Sequence, residues 1–120
     1  MRIFKNTWFT RFASKEGITD AELCKTVNRL EAGQADADLG GGVFKARLAR
    51  PGEGKSGGYR VIVFFKSGER TFYAYGFSKS GMDNISEKQL RNLKLAAKTI
   101  FKYSNKEIDE RVKNGLFIEV

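Results

Sequence analysis

The groups able to do chemistry in this chain are cations. Lys45 and Arg47 alternate on one β-prone run, Arg60 lies on the next, and Lys79 follows a third; Arg50 and Lys55 sit in the glycine-rich segment between the first two. Between residues 40 and 80, eight Lys or Arg face only Glu53 and Glu69, whereas the other residues carry fourteen basic and twelve acidic groups. Positive charge concentrated on a sheet points to a polyanion. The chain has no histidine, which removes the commonest acid–base side chain and every Ser–His, Cys–His or paired-histidine ribonuclease system. Proton transfer would fall to lysine, tyrosine, carboxylates or the substrate itself. Clustered cations disfavour the charged form of a lysine among them. The same cluster would stabilise the extra charge on a phosphate attacked by a ribose 2′-hydroxyl. Lys45, Arg47, Arg60 and Lys79 could thus cleave RNA without a metal. On the residues alone, a basic sheet that binds nucleic acid without chemistry stays equally open.

Other chemistries find little footing. No cluster of Cys, His or paired carboxylates offers a metal site, and no cofactor is expected. Gly54-Lys55-Ser56 hints at a phosphate-binding loop, but Ala49 stands where that pattern needs glycine, and a β-run follows instead of a helix. At 120 residues and net charge +8, the chain is expected to form one domain, residues 1–120, with a modest core. One cysteine precludes an internal disulfide and suits a reducing cytoplasm. No run has membrane-span length, and the segment before Asn6 is too short for a signal peptide, so a soluble cytoplasmic protein is expected.

The elements that must hold the cations read as follows. Met1 to Lys5 is a short strand, and Trp8, Phe9, Phe12 and Ala13 mark one helical face that Gly17 ends. Thr19-Asp20-Ala21-Glu22 has the form of a capping box opening a second helix, with Leu23, Cys24, Val27 and Leu30 on its stripe and Gly33 at its end. Cys24 is read there as a packed core thiol. Gln34 to Gly42 reads as a loop. Val43 to Ala49, Tyr59 to Lys66 and Arg70 to Phe77 form an antiparallel meander, with Phe44, Ala46 and Leu48 facing one way and Lys45 and Arg47 the other, about 7 Å apart. Ser86-Glu87-Lys88-Gln89 caps a helix to about Lys102, with Leu90, Leu93, Ala97, Ile100 and Phe101 inward and Lys94, Lys98 and Lys102 solvated. Ser104-Asn105-Lys106-Glu107 caps a short helix ending near Gly115. Leu116 to Val120 either packs back or meets a partner.

Phe44-Lys45-Ala46-Arg47-Leu48-Ala49-Arg50-Pro51-Gly52, Gly54-Lys55-Ser56-Gly57-Gly58-Tyr59-Arg60, Tyr75-Gly76-Phe77-Ser78-Lys79 and Asp83-Asn84-Ile85 closely resemble the HigB-like branch of the RelE superfamily, toxins of type II toxin–antitoxin systems. The resemblance implies a small α+β, microbial-ribonuclease-like domain: a twisted antiparallel sheet against N-terminal helices, with a C-terminal helical segment. It implies messenger-RNA cleavage in the ribosomal A site by 2′-hydroxyl attack, leaving a 2′,3′-cyclic phosphate. It also implies a monomer when free and a hetero-oligomer with a HigA-like helix-turn-helix antitoxin. Carried across by motif, Lys45 is the general base or electrostatic activator, beside Arg47. Arg60 grips the scissile phosphate, and Lys79 stabilises the transition state or protonates the leaving group. Arg50 and Lys55 contact RNA or ribosome. Several RelE toxins also carry a catalytic tyrosine just past the last basic position; Gly81-Met82-Asp83-Asn84-Ile85 has none. Tyr73 or Tyr75 could replace it, although sheet packing is the favoured role for both. The superfamily's gyrase-directed ParE-type toxins provide the rival activity.

Overall fold

Strand-period alternation and capped helical stripes assemble, in the computed structural model, into β1 (Arg2–Asn6), α1 (Thr7–Glu16), α2 (Asp20–Glu31), β2 (Ala37–Gly40), β3 (Val43–Leu48), β4 (Tyr59–Lys66), β5 (Arg70–Ser78), α3 (Glu87–Phe101), α4 (Asn105–Lys113) and β6 (Phe117–Glu119). The structure describes residues 1–48, 58–78 and 85–120. The strands form one sheet in the order β2-β3-β4-β5-β1-β6. The α+β class is as expected, and so is the β3-β4-β5 meander. The sheet is mixed rather than wholly antiparallel, because β1 runs parallel to β5.

Each face of the sheet has its own apolar layer. On one, Phe9, Ala13, Leu23, Val27 and Leu30 of α1 and α2 pack on Ala46, Leu48, Val61 and Val63. On the other, Ala97 of α3 and Ile108 of α4 cover Phe4, Val43, Phe64 and Phe72. The caps at Ser86 and Ser104 form in full, each serine accepting from a backbone N–H while Gln89 or Glu107 reaches back. At Thr19 the hydroxyl accepts the Glu22 N–H, as half of such a box. Gly17 ends α1 in a left-handed conformation.

Three readings are corrected or resolved. Cys24 is exposed, not a core thiol. The buried stripe of α2 is Leu23, Thr26, Val27 and Leu30, and a residue one step past Leu23 lies about 100° round the helix. Thr26 tolerates burial because its hydroxyl donates to the Glu22 carbonyl and accepts from Arg29. Residues 34–42 are not all loop: β2 pairs antiparallel with β3, and Gly40, Gly41 and Gly42, all at positive φ, make the turn between them. The tail packs back, β6 pairing with β1. Arg2 locks it there, donating to both Glu119 oxygens at 3.0 Å and to Asp109 at 2.7 Å. Those bonds hold its guanidinium pKa above the ordinary value.

The hairpin between β4 and β5 is tied to the end of α2 by Glu31, whose carboxylate accepts the Gly68 N–H and the Ser67 hydroxyl, each at 2.7 Å. These bonds hold the Glu31 carboxyl below its ordinary 4.5. The depressed value means that this contribution is fully present above pH 4.5 and fades as pH falls through the folded-state pKa. Glu31→Gln should therefore give a shallower loss of stability on the acid side, read by chemical denaturation across pH 3 to 6. A second substitution tests close packing: a Cβ at Gly76 would lie 2.6 Å from Phe12 Cε2. Gly76→Ala should cost about 1–3 kcal/mol of unfolding free energy in the same assay.

Candidate functional site

The α3-facing side of the sheet is a lattice of cross-strand neighbours. Arg47 of β3 pairs with Arg60 of β4, which pairs with Phe77 of β5. One row along, Lys45 pairs with Ile62, which pairs with Tyr75. The sequence thus sets cations on β3 and β4 beside aromatic rings on β5. The third row, Val43, Phe64 and Phe72, lies in the apolar layer under α3.

Arg47 and Arg60 bring two like charges together, and Asp36 holds them. Arg60 Nε meets Asp36 Oδ2 at 3.1 Å, and Arg47 Nε meets Oδ1 at 3.4 Å. Asp36 is itself fixed just before β2 by its N–H, which donates to the Lys45 carbonyl at 2.8 Å. Arg47 is half exposed, but the Arg60 side chain is only 14% accessible. Its Nη1 is buried and finds no hydrogen-bond partner among the described residues. A buried unmade hydrogen bond costs on the order of 1–3 kcal/mol, more for a charged group. An anion's oxygen would satisfy it, and a guanidinium clamped along its Nε side still offers its outer N–H groups to a phosphate.

Arg29, from α2, buttresses the same corner, donating to the Arg47 carbonyl at 2.9 Å and to Thr26 at 3.0 Å.

The structure brings Lys45, Arg47 and Arg60 onto one face. Arg50, Lys55 and Lys79 lie outside the described residues. Two other cations of the basic stretch serve the fold. Arg70 donates to the Tyr103 carbonyl at 2.6 Å and to Asn105, while Lys66 pairs with Glu69 in the hairpin. The row on α3 divides, Lys94 lying against Gly40 and Gly41 while Lys98 and Lys102 are exposed.

The two tyrosines part company. Strand period would put Tyr73, Tyr75 and Phe77 on one face, but an irregularity in the β4–β5 register, with Ile62 opposite Tyr75 and Val63 opposite Tyr73, turns Tyr73 over. Its hydroxyl donates to the Leu23 carbonyl at 2.7 Å, under α2, and burial pushes the phenol well above its ordinary pKa. Tyr73 is a packing residue and cannot replace the family tyrosine. Tyr75 is half-buried on the cationic face, its ring 4.4 Å from that of Trp8 and 6.3 Å from Phe77.

Asp36 and Tyr75 are thus the site residues that charge counting misses. Asp36 has one signal in the sequence, an acid set between two alanines in the small-residue segment that leads to the basic strand.

No helix among the described residues is long and apolar enough to cross a membrane. No curated protein sequence matches the chain. The family model described as the RelE toxin of the RelE/RelB toxin–antitoxin system matches residues 1–120. With its whole length matched, this chain belongs to the RelE toxin family.

Proposed function

We propose that this toxin is a metal-independent endoribonuclease that cuts messenger RNA, in the ribosomal A site, and so stops translation. As a RelE-family toxin it has an antitoxin partner; the motif blocks shared with the HigB-like branch favour a HigA-like helix-turn-helix protein in that role. The observation that carries the catalytic reading is the buried Nη1 of Arg60, without a hydrogen-bond partner among the described residues, beside Arg47 and next to aromatic rings on the neighbouring strand. Single-stranded RNA asks for that pairing, cations for its phosphates and rings for its unstacked bases.

In this reading Arg60 and Arg47 grip the scissile phosphate, and their charge stabilises the dianionic transition state. Lys45, one row away on the same face, takes the 2′-hydroxyl proton or stabilises the charge left on that oxygen. The 2′-oxygen forms a bond to phosphorus, the bond to the 5′-oxygen breaks, and the leaving oxygen takes up a proton, a step assigned to Lys79. Arg50 and Lys55 are assigned to RNA or ribosome contact. A small cationic site without histidine gains most from a substrate already oriented, which favours ribosome-bound message.

Arg60→Ala should abolish growth arrest on induced expression and lower message cleavage on purified ribosomes at least about 10²-fold, with an unchanged folded-state circular dichroism spectrum. Arg60→Lys should fall between the two, since it keeps the charge and loses the planar fork. A folded, fully toxic Arg60→Ala protein would refute the assignment. Intact messages accompanied by DNA damage would favour the gyrase-directed alternative.

A further inference from the structure

Beyond the phosphate-gripping cations, the same face carries a small pocket that this reading leaves without a role. It encloses about 240 Å3 and is lined, among the described residues, by Tyr75, Ile85, Gln89, Asn92 and Leu93. Tyr75 forms its floor from the sheet, and Gln89 and Asn92 approach from successive turns of α3, three residues apart on one side of the helix. Ring, aliphatic side chains and amides in one recess match the needs of a planar heterocycle with a polar edge.

The polar groups are not all committed. Gln89 Oε1 accepts the Ser86 N–H at 2.9 Å in the helix cap, which fixes the side chain and leaves its NH2 to donate. The Asn92 amide makes no hydrogen bond among the described residues, so it retains both a donor and an acceptor. Tyr75 leans on Trp8, whose ring stacks in turn on Phe12 at 5.3 Å, so the floor is braced from behind. Tyr75 is also the diagonal neighbour of Arg60 on this face, a Cα separation of about 7–8 Å. One nucleotide can span from guanidinium to ring.

We infer that this pocket is a nucleobase subsite: one unpaired base of the RNA lies on Tyr75 and is read along its edge by the Asn92 amide, with Gln89 as a fixed donor. The inference rests on the ribonuclease reading for its substrate class, but its test does not need cleavage. The reading also gives α3 a recognition task besides closing the core, and makes Asn92 a specificity residue rather than a catalytic one.

The experiment titrates the folded, antitoxin-free protein with each of the four nucleoside 5′-monophosphates, and in parallel with ribose 5-phosphate and inorganic phosphate, following side-chain amide and aromatic signals by NMR. At least one nucleotide should shift the Asn92 NH2 and Tyr75 ring signals and bind about tenfold more tightly than ribose 5-phosphate. The two base-free probes should move only the arginine signals. Asn92→Ala, a change on an exposed helix position, should remove most of the tenfold preference and leave ribose 5-phosphate binding unchanged. Equal binding of nucleotides and ribose 5-phosphate, an Asn92→Ala protein that binds nucleotides like the parent, or no shift at Asn92 and Tyr75 with any probe would each overturn the subsite. Message cleavage with no base-dependent binding sinks the subsite alone. Base-dependent binding without cleavage upholds the subsite and sinks the ribonuclease reading.

Discussion

Two guanidinium groups facing each other across a β ladder repel, and one carboxylate makes their neighbourhood stable. Asp36 gives one oxygen to Arg47 and the other to Arg60, converting a destabilising like-charge pair into a three-centre cluster of net charge +1. The cluster is only partly buried, so the gain in folding free energy is small after solvent screening. What it supplies is orientation. With Nε held on Asp36, the Arg60 fork cannot swing out to solvent, and Nη1 is left facing no partner among the described residues. On the ribonuclease reading, the site would therefore be built before the phosphate arrives, which is the condition under which electrostatic stabilisation of a transition state is strongest.

That cluster depends on elements distant in sequence. Asp36 is placed by the end of α2 and by the first bond to β3, its own N–H donating to the Lys45 carbonyl. Arg29, on the last turn of α2, reaches the Arg47 carbonyl, so helix and strand are joined at the point where the charges meet. The first face, under α1 and α2, thus does more than fill a core. It fixes the edge of the second face.

The helices and the meander can be read from the chain because their signals are local: Ser86 with Gln89, Ser104 with Glu107, and a β-prone, mostly apolar run from Tyr59 to Lys66. Lys45, Arg47 and Arg60 could be named because alternation and charge coincide there. Features that depend on distant partners leave no such local mark. β2 is four residues long and rich in small side chains, and it exists because β3 offers it an edge, a non-local fact that propensity does not encode. Asp36 looked like loop for the same reason. Tyr73 and Tyr75 share a strand phase in sequence and lose it in space, because one irregular residue pairing reverses the alternation. Cys24 adjoins the stripe in sequence but lies off it by helical angle.

The pocket between α3 and Tyr75 is set by how closely α3 can approach the sheet. Near its C-terminal end, the Phe101 ring lies against Gly42, where a Cβ would be 2.6 Å from Cε2, and about two turns earlier the Lys94 side chain lies against Gly40 and Gly41. All three glycines take positive φ in the turn, and Gly42 is needed a second time for the space that Phe101 occupies. Because α3 is seated against that turn at one end, its first turns reach Tyr75, which lines a pocket with Gln89, Asn92 and Leu93, while Ile62 and Phe77 of the rows that carry the cations and rings are buried in the apolar layer that Ala97 also joins. A side chain at Gly42 would press on Phe101 and move the helix, and the pocket between Asn92 and Tyr75 would change its width with Lys45, Arg47 and Arg60 unaltered. The dimensions of the pocket are thus governed in part from the opposite end of the helix, by the Gly42 turn.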